Sequence, residues 1–412
     1  MSILGTRVLR TEDPGFLTTG AVYTEDVQDE RLTGAVHVHF VRSTVAHAKI
    51  NGIDTSAAKD AEGVVAVFTG QDLADDGVNP IKPMMPNMNQ AMVQPWLATG
   101  TVRFVGEPVA VVVTEHPYQG EDAIELVDID YEILPTVVDM NEAKEGQTGL
   151  LFPEAGTNVV VKFGDESTLN AGLFEGCEVV VSKTILNQRV APAPMESRSA
   201  AAAWGEDGRL TAWIPNQGAQ GTKGAVAGMM GLDRDKVRVI TPAVGGAFGA
   251  KFGADPEHVV VAWVAKRLSR PARWSETRNE NMIAMTHGRA QTQTVTIGGS
   301  KDGTIQAYRL EIVQDCGAYP KAGAFLPSLT ILMTPGPYNI PRAEAYSASV
   351  VTNTTPVGAY RGAGRPEATA AIDRAVDRVA TEAGVAPAEV RRQNLLPKFT
   401  DPQTTAFGAT YD

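Results

Sequence analysis

Only two cysteines, Cys177 and Cys316, occur among 412 residues. That number excludes a disulfide framework and any metal site built mainly from thiolates. Aromatic residues make up 6% of the chain, and 36 Lys plus Arg are outnumbered by 48 Asp plus Glu, a formal charge of −12. An acidic chain with few rings is a poor nucleic-acid binder, because it repels the phosphates it would have to neutralise. Long apolar runs are missing too. No stretch approaches the roughly 20 residues that cross a bilayer. The first twenty residues, broken by Arg7, Arg10, Glu12 and Asp13, do not read as an export signal, so a cytoplasmic location is expected.

What is present is a 43% apolar composition with 40 Gly and 25 Pro, the balance of a globular protein with many turns and a large core. The expected class is α+β. Residues 1–139 read as an α/β domain in which Gly34–Val41, Gly63–Phe68 and Glu107–Thr114 are strand candidates. A β-α-β unit is expected from Glu107 to Ile133, closing at Pro135. Residues 140–160 read as a linker, and 161–412 as a larger α+β domain of strand–loop–helix passages. Within it, Gly218–Met230 reads as a helix closed by Gly231, and Asp255-Pro-Glu as the start of another. Thr292–Ile297 and Ile305–Asp315 should pair around Asp302-Gly303. A helix opening at Pro366-Glu367 carries the apolar stripe Ile372, Ala375, Val376, Val379 and Ala383 and should stop at Gly384.

Three loops precede helix starts: Pro215-Asn216-Gln217-Gly218, Gly245–Lys251 and Gly358–Arg365. Glycine lets backbone approach a ligand closely, and helix starts offer unpaired N–H groups to anions. Neither glycine loop is a standard nucleotide loop. Phe252 follows Lys251 where a phosphate loop needs Ser or Thr, and Gly362-Ala-Gly364 lacks the third glycine of a dinucleotide fingerprint. Glycines that only make turns are the better explanation of any one of these loops alone, and explain all three together only equally well.

In these loops, with Pro194-Met195-Glu196, Ala359–Glu367 and Ala388–Asn394, the chain resembles the molybdenum-binding large subunit of the xanthine oxidase family of molybdenum hydroxylases. Arg42-Ser43, Ala46-His47-Ala48, Val102–Ala110 and Asp128–Pro135 resemble the hammerhead domain of that family. The resemblance implies an N-terminal hammerhead domain followed by the first molybdopterin-binding domain. The second such domain, with the glutamate that serves as general base, is expected to lie outside this chain. It implies that Gln217 hydrogen-bonds an oxo ligand of molybdenum. Gly246, Ala247, Phe248, Gly249, Arg361, Gly362 and Ala363 would bind the cofactor, with Phe248 and Arg361 acting through backbone. Phe252 and Ala363 would face the substrate. No side chain is expected to bind the metal directly, since the pterin dithiolene does so.

The resemblance further implies a molybdopterin cofactor, in its cytosine dinucleotide form, and partner chains. These are a second molybdopterin-binding polypeptide, a 2Fe-2S subunit and an FAD subunit. The reaction implied is oxidation of an aldehyde or N-heteroaromatic compound with water as oxygen source. Phe252 stands where purine oxidisers carry a glutamate, and Gly362 where carbon monoxide oxidisers carry a cysteine, which disfavours both substrates. The alternatives are a non-catalytic chain acting in assembly and, more distantly, a nicotinamide-dependent dehydrogenase. Structural roles are expected for His37, His39, Cys177, Cys316 and Trp274. Lys251 and Arg365 suit cofactor phosphates or local pairing equally.

Overall fold

The computed structural model describes residues 4–412. Its largest sheet has seven strands, in the spatial order Val237–Ile240, Leu210–Trp213, Ser199–Trp204, Ala272–Ser275, Val36–Arg42, Pro108–Thr114 and Val64–Thr69. Three of these strands precede residue 139 and four follow residue 160. The join is the parallel pairing of Val36 with Ala272 and His37 with Arg273. Pro108–Thr114 is buried along its whole length, as its continuous Val-rich run requires. The helix Pro256–Arg267 covers this sheet, with every residue from Pro256 to Ala265 buried.

The second sheet has five strands, ordered Val159–Phe163, Arg342–Val350, Ile305–Asp315, Gln291–Gly299 and Val179–Asn187. Its central hairpin turns at Asp302-Gly303, where Asp302 Oδ1 accepts from the Thr304 N–H at 2.9 Å and Gly303 takes a φ of +87°. The helix Arg365–Ala383 lays its stripe of Ala371, Ile372, Ala375, Val376 and Val379 on this sheet. It ends at Gly384 in the left-handed conformation (φ +69°), a stop that glycine makes without steric cost.

Two expectations need correction. Strands Pro108–Thr114 and Asp128–Ile133 do not form a β-α-β unit, because the second belongs to a three-stranded sheet with Ala48–Asp54 and Thr101–Val102. The intervening helix, Gly120–Ile124, has five residues, roughly 7 Å at 1.5 Å each. That is too short to carry the chain back along a seven-residue strand. Residues 140–160 also hold structure of their own. The helix Met140–Glu145 is capped by Asp139 Oδ1 on the N–H groups of Asn141 (2.7 Å) and Glu142 (3.1 Å), and Leu151 and Phe152 are buried in a core with Tyr319.

Candidate active site

The three loops read from the sequence meet in space. Gln217 follows Asn216, whose amide is buried and donates to Ile214 O (2.8 Å) and Thr241 Oγ1 (2.7 Å). Asn216 Oδ1 accepts from the Gly218 N–H at 2.8 Å, so the turn into the helix Ala219–Met229 is pinned before Gln217 is placed. Gln217 Oε1 then accepts from the Gly249 N–H at 2.9 Å. A backbone N–H can only donate, so this contact settles which end of the amide is oxygen. The NH₂ end of an exposed side chain is left to donate outward.

The loop 245–251 is conformationally costly. Gly246, Phe248 and Gly249 take φ values of +104°, +55° and +105°. For phenylalanine the left-handed region costs about 1–2 kcal/mol, so the surroundings must impose it. Phe248 O accepts from the Arg361 N–H at 2.8 Å, and the Arg361 guanidinium sits 5.2 Å from the Phe248 ring centre. Gly249 packs so tightly on the other loop that a Cβ there would lie 2.5 Å from Ala359 O. The consecutive N–H groups of Gly246, Ala247 and Phe248 donate to no described residue. Successive free N–H groups across positive-φ positions make a concavity suited to an anion.

The loop 358–365 is held by Arg289, which sequence reasoning did not single out. Its Nη2 donates to Arg361 O at 2.7 Å, its Nη1 to Glu367 Oε1 at 3.2 Å, and its guanidinium lies 4.9 Å from the Tyr360 ring centre. No local pattern marks Arg289, since its partners lie over 70 residues away. The Arg361 N–H donates to Phe248 O, so Arg361 joins the two loops through its backbone. The Gly362 N–H donates to no described residue, and Ala363 sits at φ +44°.

Lys251 makes a local pair. Its buried Nζ donates to Glu196 Oε2 at 2.7 Å, and burial pushes the ammonium below its ordinary range while Glu196 opposes the shift. Arg365 is exposed and donates to Ala363 O at 3.2 Å. Behind the loops lies a buried ion cluster. Arg198 reaches Glu276, Glu257 (2.9 Å) and Asp255 (3.1 Å), and Arg42 reaches Glu257 (3.0 Å) and Glu280 (2.8 Å). Burial would raise Glu257, but Arg198 and Arg42 hold it down at about 2.

A cavity of about 1330 Å³ opens beside Gly249 and Phe252. Trp96, Trp263, Met92 and Tyr319 contribute to its walls. Phe252 is 75% exposed, a large apolar side chain with no fold-level reason to be outside. Ala363 is not among the described residues that line this cavity. The remaining candidates serve the fold. Burial lowers His39 to about 4 beside Thr114, Trp274 packs edge-on against Phe40 at 5.3 Å, and Cys316 is buried while Cys177 is partly so. No cluster of three or more His, Cys, Asp or Glu side chains able to hold a metal occurs among the described residues.

Residues 151–395 match the molybdopterin cofactor-binding domain, and residues 18–135 match the a/b hammerhead domain of aldehyde oxidase and xanthine dehydrogenase. The chain belongs to the xanthine oxidase family and matches part of its molybdenum-binding large subunit. It is 36% identical, over its whole length, to half of the nicotine 6-hydroxylase large subunit of Paenarthrobacter nicotinovorans. Over 99% of its length it is 33% identical to the carbon monoxide dehydrogenase large chain of Afipia carboxidovorans, covering 52% of that chain. The structure of quinoline 2-oxidoreductase from Pseudomonas putida 86 superposes with a TM-score of 0.90 at 32% identity, over 100% of this chain and 52% of that one. The chain thus spans about half the length of the relatives it matches.

Proposed function

We propose that this chain supplies one wall of the active site of a molybdenum hydroxylase that oxidises an N-heteroaromatic compound or an aldehyde, with water as the oxygen source. Residues 1–139 are its hammerhead part and residues 161–412 its first cofactor-binding part. The observation that carries the reading is the Gln217 amide, fixed by Gly249 with its NH₂ end outward, next to the N–H groups of Gly246, Ala247 and Phe248, which have no partner among the described residues. That neutral, donor-only set fits an anionic oxo- and sulfur-bearing group and would fit a bare metal cation poorly. Gln217, the 246–249 backbone and Gly362 would hold a molybdopterin, in its cytosine dinucleotide form. When bound, the cofactor supplies two-electron oxidation of an electron-poor carbon.

The chain's own residues do the orienting. The Gln217 NH₂ donates to the bound group without adding charge, and Arg361 keeps the Phe248 carbonyl turned inward to the other loop. Phe252 offers an apolar surface to the substrate at the cavity edge. The cavity, with Trp96 and Trp263 in its walls, accommodates a fused aromatic ring more naturally than a molecule the size of carbon monoxide. Nicotine and quinoline are named for two of the relatives, which agrees with that preference. Partners follow from the same reading: a second molybdopterin-binding segment bearing the general base, a 2Fe-2S subunit and an FAD subunit, working in the cytoplasm. No helix among the described residues is long and apolar enough to cross a membrane.

The test is purification of the native complex with metal analysis and assay on quinoline-type and aldehyde substrates. Stoichiometric molybdenum with hydroxylation is the expected result, and a metal-free protein without redox activity would refute the reading. In that complex Gln217→Ala should lower kcat roughly a hundredfold, as loss of one preorganised donor does, while molybdenum content falls far less.

A further inference from the structure

The loop 245–251 closes on a single carboxylate oxygen. Glu196 Oε2 accepts from the Gly245 N–H at 2.8 Å, at the start of the loop, and from Lys251 Nζ at 2.7 Å, at its end. Two further bonds double the tie. Lys251 Nζ donates to Glu196 O at 2.9 Å, and the Glu196 N–H donates to Gly245 O at 3.0 Å. The Lys251 carbonyl then accepts from the Gln217 N–H at 3.1 Å. One side chain is therefore linked to both ends of the glycine loop and, through one residue, to Gln217.

Solvent does little to weaken the pair, since the Lys251 side chain is 2% exposed and that of Glu196 13%. A Cβ at Gly245 would lie 2.6 Å from Glu196 Cβ, so the backbone approaches the acid as closely as glycine allows. Between the two tied ends lies Phe248 at a φ of +55°, flanked by Gly246 and Gly249, a conformation that an untethered phenylalanine would leave for ordinary φ values.

We propose that Glu196 and Lys251 form a clasp that presets the loop 245–251 and Gln217 in their binding geometry before any cofactor arrives. They are positioning residues. The carboxylate acts on the site only through the Gly245 N–H and the Lys251 ammonium, and the lysine is spent on the acid instead of on a phosphate. The purpose of the clasp rests on the function proposed above, but its existence as a local device does not.

Amide hydrogen exchange on the cofactor-free full chain provides the test, comparing wild type with Glu196→Gln and Lys251→Met. Loss of one charge-assisted bond should speed exchange at Gly245, Gly249 and Ala250 by roughly tenfold or more. The helix Pro256–Arg267 and the strand Gln291–Gly299 should exchange as before. In the loaded native complex the same variants should lower both kcat and molybdenum content severalfold, with KM nearly unchanged. Exchange that stays put in the loop, or rises evenly along the chain, would overturn the clasp. If Glu196→Gln does not fold, Lys251→Met carries the same measurement, and failure of both to fold would make the pair a global support and also overturn it. A complex without molybdenum or hydroxylation would remove the proposed function while the exchange result still decides the clasp.

Discussion

Glu107 offers the most quantitative prediction. Its carboxylate is 1% exposed, with Oε2 accepting from the Arg103 N–H at 2.6 Å and Oε1 accepting from the Tyr319 hydroxyl. Burial dominates these bonds and pushes its pKa from 4.5 to about 7. The native state therefore binds this proton more tightly than the unfolded chain does. Its contribution is fully present below about pH 4.5, is lost as pH rises through 7, and is constant above that. A rise of about 2.5 units at 1.36 kcal/mol each makes the loss roughly 3 kcal/mol. Glu107→Gln removes the titration and keeps the shape. The amide oxygen can accept from Arg103 while its NH₂ donates to the Tyr319 hydroxyl, which is able to accept as well as donate. Urea unfolding of both proteins, followed by circular dichroism at pH 5 and at pH 8, measures the effect. The stability of the variant relative to wild type should improve by roughly 2.5 kcal/mol between the two pH values, since part of the loss has already occurred at pH 5. Parallel stabilities at both pH values would refute the argument and mean that Glu107 stays ionised in the fold.

Two further substitutions probe the packing that shapes the site. Gly249→Ala combines a φ of +105° with a Cβ 2.5 Å from Ala359 O, so the two loops must separate. Its thermal midpoint should drop and molybdenum content in the native complex should fall severalfold; an unchanged metal content would show that loop contact is dispensable. Arg198→Met leaves Glu257 and Glu276 buried without their shared cation, which should cost about 3–5 kcal/mol in urea unfolding near neutral pH. A loss below about 1 kcal/mol would mean that Arg42 alone compensates both acids.

Much of the local structure was legible in the chain because its signals are local. The stripe on Arg365–Ala383 and the stop at Gly384 follow from helical periodicity and glycine's access to positive φ. Asp302-Gly303 marks the hairpin for the same kind of reason. The glycine loops and Gln217 could be picked out, and their order along the chain pointed to the family. Arg289 and the Glu196–Lys251 pair were not assignable that way. An arginine or a carboxylate has the same local appearance whether it ends in solvent or under a strained loop, and the partners here lie 72 and 55 residues away.

Period-two patterning told which residues of Val36–Arg42 could face a core, but said nothing of which strand would lie beside it. Its parallel partner, Ala272–Ser275, comes from the far side of the expected domain boundary. Side-chain alternation encodes faces, whereas neighbour choice depends on loop lengths and on the whole pattern of burial. The sequence by itself determined the residue types, the turns and the positions able to bear positive φ. Tertiary structure decided that Gln217, the 245–251 loop and the 358–365 loop converge, since hydrogen bonds between distant backbone segments exist only once the chain has folded.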